Sequence, residues 1–317
     1  MDDNKPKLII LTDFAQDLIT LAQMPLFPSK HSGKTFTNHQ LFKLSVLRAY
    51  LGMNYRRFND YLETSLIPDY LELKRIPHFT TLQKFEQRQN IQNIEEMLLK
   101  FVDLAPKKIK EVGLDATGFS MVYASRHYEK RVGRVISKKD FIKSNLFFDL
   151  RNLLVLAIKI RKQSRHDTKD VKPIWNKIKH LEFNKVFGDK AYDANWFHKL
   201  IFESGRKSMI HIKSEQTPIW RTHGEFRKKA KRLAKNEEKG KRSLCETINS
   251  VLKRVFGSII RAKNLGTQKI ELLFKIIAYN IERIYKVTKN IFLRIFFFLY
   301  FLEKLQKDIL EIECFNL

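Results

Sequence analysis

Cysteine is nearly absent. The 317 residues contain two, Cys245 and Cys314. Neither has Cys or His neighbours at the spacing of a structural zinc, and two thiols so far apart build no disulfide framework. A reducing cytoplasm is the expected setting. Acidic residues are the minority charge: 34 Asp+Glu stand against 60 Lys+Arg, a formal net charge of +26. The first six residues, Met1-Asp2-Asp3-Asn4-Lys5-Pro6, carry neither a basic n-region nor an apolar core. No secretory leader is expected from them. The one membrane suspect, Ile291 to Leu302, is short and interrupted by Arg294. Crossing a bilayer takes roughly twenty residues, so no membrane partner is expected. No internal repeat is visible.

Hydrophobic residues make up 44% of the chain, enough for a packed core. An excess of positive charge this large favours phosphate backbones or an anionic membrane surface. Charge alone does not separate DNA from RNA. A soluble basic protein with no polyanionic partner is the plain alternative.

Residues 1–105 read as helical. Leu8 to Met24 has apolar positions at helical spacing, ended by Pro25 and Pro28. Thr37-Asn38-His39-Gln40 is a capping box. Leu41, Leu44, Leu47 and Leu51 follow, and Gly52 stops that helix. Asn54 can cap the next. Pro68 and Pro77 bracket a short connector, and Thr80-Thr81-Leu82-Gln83 is a second capping box. Basic residues among short helices (Arg56, Arg57, Lys74, Arg75, Lys84, Arg88) suggest a helix-turn-helix-like DNA-binding module. A plain helical bundle explains the same pattern.

From residue 106 to 285 the pattern becomes α/β. Glu111 to Thr117 reads as a strand. Lys143–Leu150 and Leu153–Ile160 read as two more, joined in a hairpin at Arg151-Asn152. Asp170–His180 is helical, Asn184–Asp189 a buried strand, Asp193–Phe202 a helix, and Ser208–Ile212 a strand. Strands followed by alternating helix and strand predict a mixed sheet flanked by helices. Residues 222–242 are very basic. Ser243–Phe256 is helical with Gly257 as its stop, and helix resumes at Gln268. Residues 286–317 form a hydrophobic, phenylalanine-rich extension. Its apolar positions recur at helical spacing and call for a buried partner surface.

Three acids stand out: Asp115 and Asp189 at the ends of apolar runs, and Glu246 inside a helix. On that helix Arg242, Glu246, Asn249 and Lys253 share a face. Converging carboxylates suit a hard divalent ion, and surrounding cations suit a phosphate backbone. A simple i,i+4 salt bridge between Arg242 and Glu246 is the plain reading of the third acid alone.

Taken in order, these segments resemble a DDE transposase of the bacterial and archaeal insertion-sequence type. The family signature Tyr-x2-Arg-x3-Glu-x6-Lys is matched by Arg242, Glu246 and Lys253, with Lys239 in the Tyr position. Gly188-Asp189-Lys190-Ala191-Tyr192-Asp193 is similar to the family's second-Asp segment. Arg165-His166-Asp167 and Arg75 to Leu82 resemble two further family segments. The resemblance implies an RNase H-like catalytic domain of the compact, group-5-like arrangement. It also implies two Mg²⁺ (or Mn²⁺) ions held by Asp115, Asp189 and Glu246. The partner would be double-stranded DNA: transposon terminal inverted repeats and target DNA. Arg242, Lys253, Asn249, Lys239, Arg227, Lys228, Lys229, Lys231 and Arg232 would bind it. Implied too are a homodimer on DNA and a cytoplasmic, nucleoid-associated prokaryotic setting. Two alternatives remain: a transposase-derived DNA-binding protein without catalysis, and an RNase H-like nuclease. Asp193 is expected as a helix cap and Tyr192 as packing.

Overall fold

The N-terminal third is built from helices whose ends are set locally. In the computed structural model, which describes residues 5–31, 33–121, 131, 141–162, 166–213, 216–234 and 240–289, six helices precede the first strand. They are α1 (Lys7–Leu21), α2 (Asn38–Leu51), α3 (Tyr55–Glu63), α4 (Ile67–Tyr70), α5 (Phe79–Arg88) and α6 (Ile91–Leu104). Thr37 starts α2 with the expected reciprocal box: its hydroxyl accepts from Gln40 N at 3.1 Å, and the Gln40 side chain accepts from Thr37 N at 3.0 Å. Gly52 ends α2 at φ 65°, a conformation that glycine adopts without a Cβ penalty. Asn54 Oδ1 accepts from Arg57 N at 2.9 Å and opens α3.

Two local readings are corrected. Pro68 lies in the first turn of α4, where a missing N–H costs nothing, and is not part of a connector. The second capping box does not form. His78 takes the cap position of α5, and its ring nitrogen stands 3.5 Å from Thr80 N.

The sheet is centred on β1 (Glu111–Met121). β2 (Phe141–Asp149) pairs antiparallel with β1, and β3 (Leu154–Arg161) antiparallel with β2. The Asp149 carboxylate holds the hairpin turn by accepting from Arg151 N at 2.9 Å and Asn152 N at 3.3 Å. On the other side β4 (Lys185–Gly188) pairs parallel with β1, and β5 (Lys207–Ile210) parallel with β4. The order is therefore β3-β2-β1-β4-β5, with the two-residue β6 (Ile259–Ile260) joining the far end of β1. The parallel pairs require crossovers, and α7 (Thr168–Ile178) and α8 (Asn195–Glu203) provide them. This is the RNase H-like mixed sheet that the resemblance implies.

Alternation along β1 divides the core. Val112 and Leu114 face the α7/α8 layer, where Trp175 meets Phe183 and Phe197 edge-on at 6.0 and 5.9 Å. The opposite face is covered by α10 (Ser243–Val255) and by α11, a helix over 265–289. α11 is tied to β3 by Asn280, which accepts from Val155 N at 2.9 Å and donates to Val155 O at 2.8 Å. Phe274 of α11 meets Phe42 of α2 at 5.4 Å. One apolar core consequently runs from the N-terminal helices through α11 to the sheet. Most of the predicted extension, residues 290–317, lies outside the described residues.

Candidate functional site

Strand register brings two of the acids together. Leu114 pairs with Gly188 in parallel register, so Asp115 and Asp189 follow side by side. Asp189 closes β4 and accepts from Lys190 N at 2.7 Å. Asp115 accepts from Ala116 N at 2.9 Å through Oδ1 and from the Asn249 amide at 2.9 Å through Oδ2. Burial lifts the Asp115 carboxyl above the usual carboxylate range, and the nearby Asp189 charge adds to the rise. The Ala116 N–H, the Asn249 amide and the Arg242 charge pull it back. A half-buried carboxylate beside a second acid is held at a cost, which a cation would relieve.

α10 reaches β1 because one strand residue has no side chain. A Cβ on Gly113 would lie 2.2 Å from Cys245 Sγ and 2.8 Å from Leu150 Cδ2. With hydrogen there, Cys245 seats over Gly113 and Asn249 over Asp115. The match is geometric: four helix residues rise about 6 Å, and two strand residues advance about 6.6 Å. Asn249 is buried, and its Oδ1 has no hydrogen-bond partner.

Glu246 sits about 100° around the helix from Cys245, away from the strand-facing row. It is ion-paired with Arg242 one turn earlier, and Arg242 also approaches Asp189 Oδ1 at 3.7 Å. Among the described residues, no three His, Cys, Asp or Glu side chains gather closely enough to hold one metal ion. The structure thus brings Asp115 and Asp189 together and leaves Glu246 with Arg242. The guanidinium lies between Asp189 and Glu246, where a cation bridging those acids would compete with it. The donor set fits a hard divalent ion: carboxylate oxygens throughout, with an unpartnered amide oxygen beside Asp115.

The basic run after β5 is only partly turned to solvent. α9 (Glu225–Ala234) turns Arg227 inward, where it pairs with Asp193 at 2.7 and 2.5 Å. Lys231 is buried and donates to Thr217 O. Lys229 lies 4.6 Å from the Phe202 ring centre. Lys228 is half-buried and Arg232 exposed. Lys239 falls outside the described residues. Asp193 is no helix cap: α8 has Ala194 in that position and no side-chain cap. Its buried carboxylate also faces His198 Nε2 at 3.1 Å and accepts from Lys213 N at 2.9 Å. Burial would raise its pKa, but His198, Arg227 and Lys213 hold it well below the carboxylate range. The other ring nitrogen of His198, Nδ1, lies 2.8 Å from the Ser208 hydroxyl, so one imidazole bridges Asp193 and β5.

Beneath the acids, the Tyr192 hydroxyl donates to Asn145 at 2.9 Å, and Asn145 donates to Asp170 at 2.7 Å. Asp170 also pairs with Arg161, and Asp167 with Lys143. Tyr192 is therefore a hydrogen-bonded support as well as packing. Arg165 lies outside the described residues. Sequence reasoning missed this network; buried polar residues inside apolar strands were its only signal.

No curated protein matches the chain. Among solved structures, a piggyBac transposase synaptic complex with hairpin DNA is similar at 13% identity and a TM-score of 0.43, over 90% of this chain and 75% of that one. The family model of the transposase DDE domain matches residues 107–281. That span is more than half of the chain, holds the sheet, both aspartates and α10, and shows that the chain belongs to the DDE transposase family.

Proposed function

We propose that this chain is a metal-dependent DNA transposase that cuts DNA strands at insertion-sequence ends and transfers them to target DNA. The observation that carries the reading is the pairing of Asp115 and Asp189 at neighbouring strands, with the Arg242-Glu246-Asn249 face of α10 against them. Asp115, Asp189 and Glu246 would hold one or two Mg²⁺ or Mn²⁺ ions. When bound, such ions supply Lewis-acid stabilisation of an in-line displacement at phosphorus. The chain's own residues orient that chemistry. Ala116 N–H and Asn249 fix the Asp115 carboxylate, and Gly113 lets α10 come close enough for Asn249 to do so. Glu246 would help hold the metal in place of its Arg242 partner, and Arg242 would then be available to a DNA phosphate. Lys253, two turns along, and Lys228, Lys229 and Arg232 on α9 add phosphate contacts. The helical module over 1–105 is assigned to duplex recognition, and two copies of the chain to the two DNA ends.

The test is strand cleavage of the flanking DNA ends of the source element, with and without Mg²⁺. Wild type should cut only with the metal. Asp115→Ala, Asp189→Ala and Glu246→Ala should each reduce cutting to background while binding survives, because Lys and Arg contacts supply most of the affinity. Normal cutting by Glu246→Ala would remove Glu246 from the ligand set. A wild type that binds DNA and never cuts it would be the non-catalytic alternative, which the Arg242 bridge favours.

A further inference from the structure

A groove of about 770 Å³ lies where the N-terminal helices meet the end of α10 and the loop that follows it. Six cations line it, and two are already neutralised. Arg48 pairs with the buried Glu86 at 2.8 Å, and Lys275 stands 3.6 Å from Glu271. The other four, Lys253, Arg254, Arg261 and Lys263, have no acidic partner among the described residues.

The loop that presents two of them is held in shape from below. Glu271 of α11 accepts from Arg261 N and Ala262 N at 3.0 and 2.8 Å. Lys275 donates to Gly257 O and Ile259 O at 3.2 and 2.6 Å. Gln268 donates to Ala262 O and Lys263 O at 3.0 and 3.1 Å. Pairing of Ile259 and Ile260 with Ser120 and Met121 fixes the loop's start. Three polar side chains of α11 thus order a segment that has little regular structure of its own, while its cationic side chains project outward. Such pre-organisation lowers the entropic cost of gripping a ligand.

The chemistry of the walls selects the ligand. The opposite wall adds the side-chain amides of Gln83 and Gln87, which suit phosphate oxygens. No ring is open for base stacking: Tyr55 lies under the Arg48 guanidinium at 4.1 Å with its hydroxyl bound to Glu86, and Phe256 is buried. The groove therefore suits a backbone and not unstacked bases. Lys253 links it to the catalytic face, since Lys253 follows Glu246 by seven residues, about 10 Å along a helix.

We propose that this groove receives the phosphate backbone of duplex DNA running on from the cleaved bond, through Arg254, Arg261 and Lys263. This rests on the transposase reading and adds where the DNA leaves the site. With a base-pair rise of about 3.4 Å, the contacts begin about three base pairs from the cut.

The experiment compares wild type with the R254Q/R261Q/K263Q variant on two duplexes. One carries at least ten base pairs on each side of the cut, and the other is trimmed to two on the side that enters the groove. All three residues are exposed, and a thermal melt checks that the variant folds as wild type does. On the long duplex the variant should bind about tenfold more weakly. The slope of log K against log salt should flatten by up to about 0.9 per lost contact. On the trimmed duplex the two proteins should bind alike, and cutting at saturating DNA should be unchanged. Equal slopes on the long duplex, with wild type still binding and cutting, would overturn the groove alone. A wild type that binds neither duplex would overturn the groove together with the transposase reading.

Discussion

Two stretches of this chain are dense in positive charge, and they spend it differently. α9 carries Arg227, Lys228, Lys229, Lys231 and Arg232; the stretch over 253–263 carries Lys253, Arg254, Arg261 and Lys263. On α9, Arg227 neutralises a buried carboxylate and Lys231 satisfies a backbone carbonyl. Over 253–263, α11 supplies the polar partners for the backbone, and the cations stay available. The denser run is the less free one. Local charge count thus says little about where a polyanion will lie; what matters is whether an acid waits beneath.

The strongest way to break this comparison is Arg227→Gln. It strands the buried Asp193 charge and should cost about 3 kcal/mol of folding stability, read by urea denaturation. The salt slope of DNA binding should not change. A variant of wild-type stability that loses a unit of slope would put Arg227 on the DNA instead. Acid titration probes the same pair. The Asp193 pKa is depressed in the folded chain, so its stabilisation is present above the ordinary carboxylate pKa of about 4 and is lost as pH falls below it. Thermal melts should drop steeply there for wild type. Asp193→Asn should start less stable and show a shallower drop.

Joint replacement of Lys228, Lys229 and Arg232 by Gln sharpens the comparison from the outer side of α9. Each change should shift stability by no more than about 0.5 kcal/mol, while the salt slope flattens by up to about 0.9 per lost contact. An unchanged slope would leave that face merely solvated. The smallest effect on stability is expected at the half-buried Asp115. Asp115 has a raised pKa, so its ionisation disfavours the folded chain as pH climbs past the ordinary carboxylate range. Asp115→Asn should therefore be slightly more stable at neutral pH, since turning the Asn249 amide keeps both hydrogen bonds. Cutting should be lost at the same time. A fall in melting temperature would mean that the carboxylate has a structural role that its neighbours do not reveal.

Much of the frame was legible in sequence because it is local. Thr37, Gly52 and Asn54 act through bonds to residues at most four positions away, so their roles survive folding unchanged. The strands around Asp115 and Asp189 announced themselves by apolar runs, but their register is seen only in the folded sheet, where Leu114 pairs with Gly188. Local signals failed where two were in competition: His78 outranked the Thr80 box. They failed again where a distant partner decides. Nothing near Arg227 in sequence shows that Asp193, 34 residues earlier, will claim it. Nothing near Arg261 shows that Glu271 and Lys275 will anchor its loop. Glu246 was visible as an acid, but its pairing with Arg242 was the plain helical alternative, and that is the contact found.

The fit of Cys245 against Gly113 has a consequence for motion. Burial pushes the Cys245 thiol up to about 12, so at neutral pH it is protonated, shielded and inert toward alkylating reagents. It can react only when α10 lifts from β1, the same movement that would withdraw Asn249 from Asp115. In a chain with Cys314→Ser, the labelling rate of this thiol becomes a clock for how often α10 lets go.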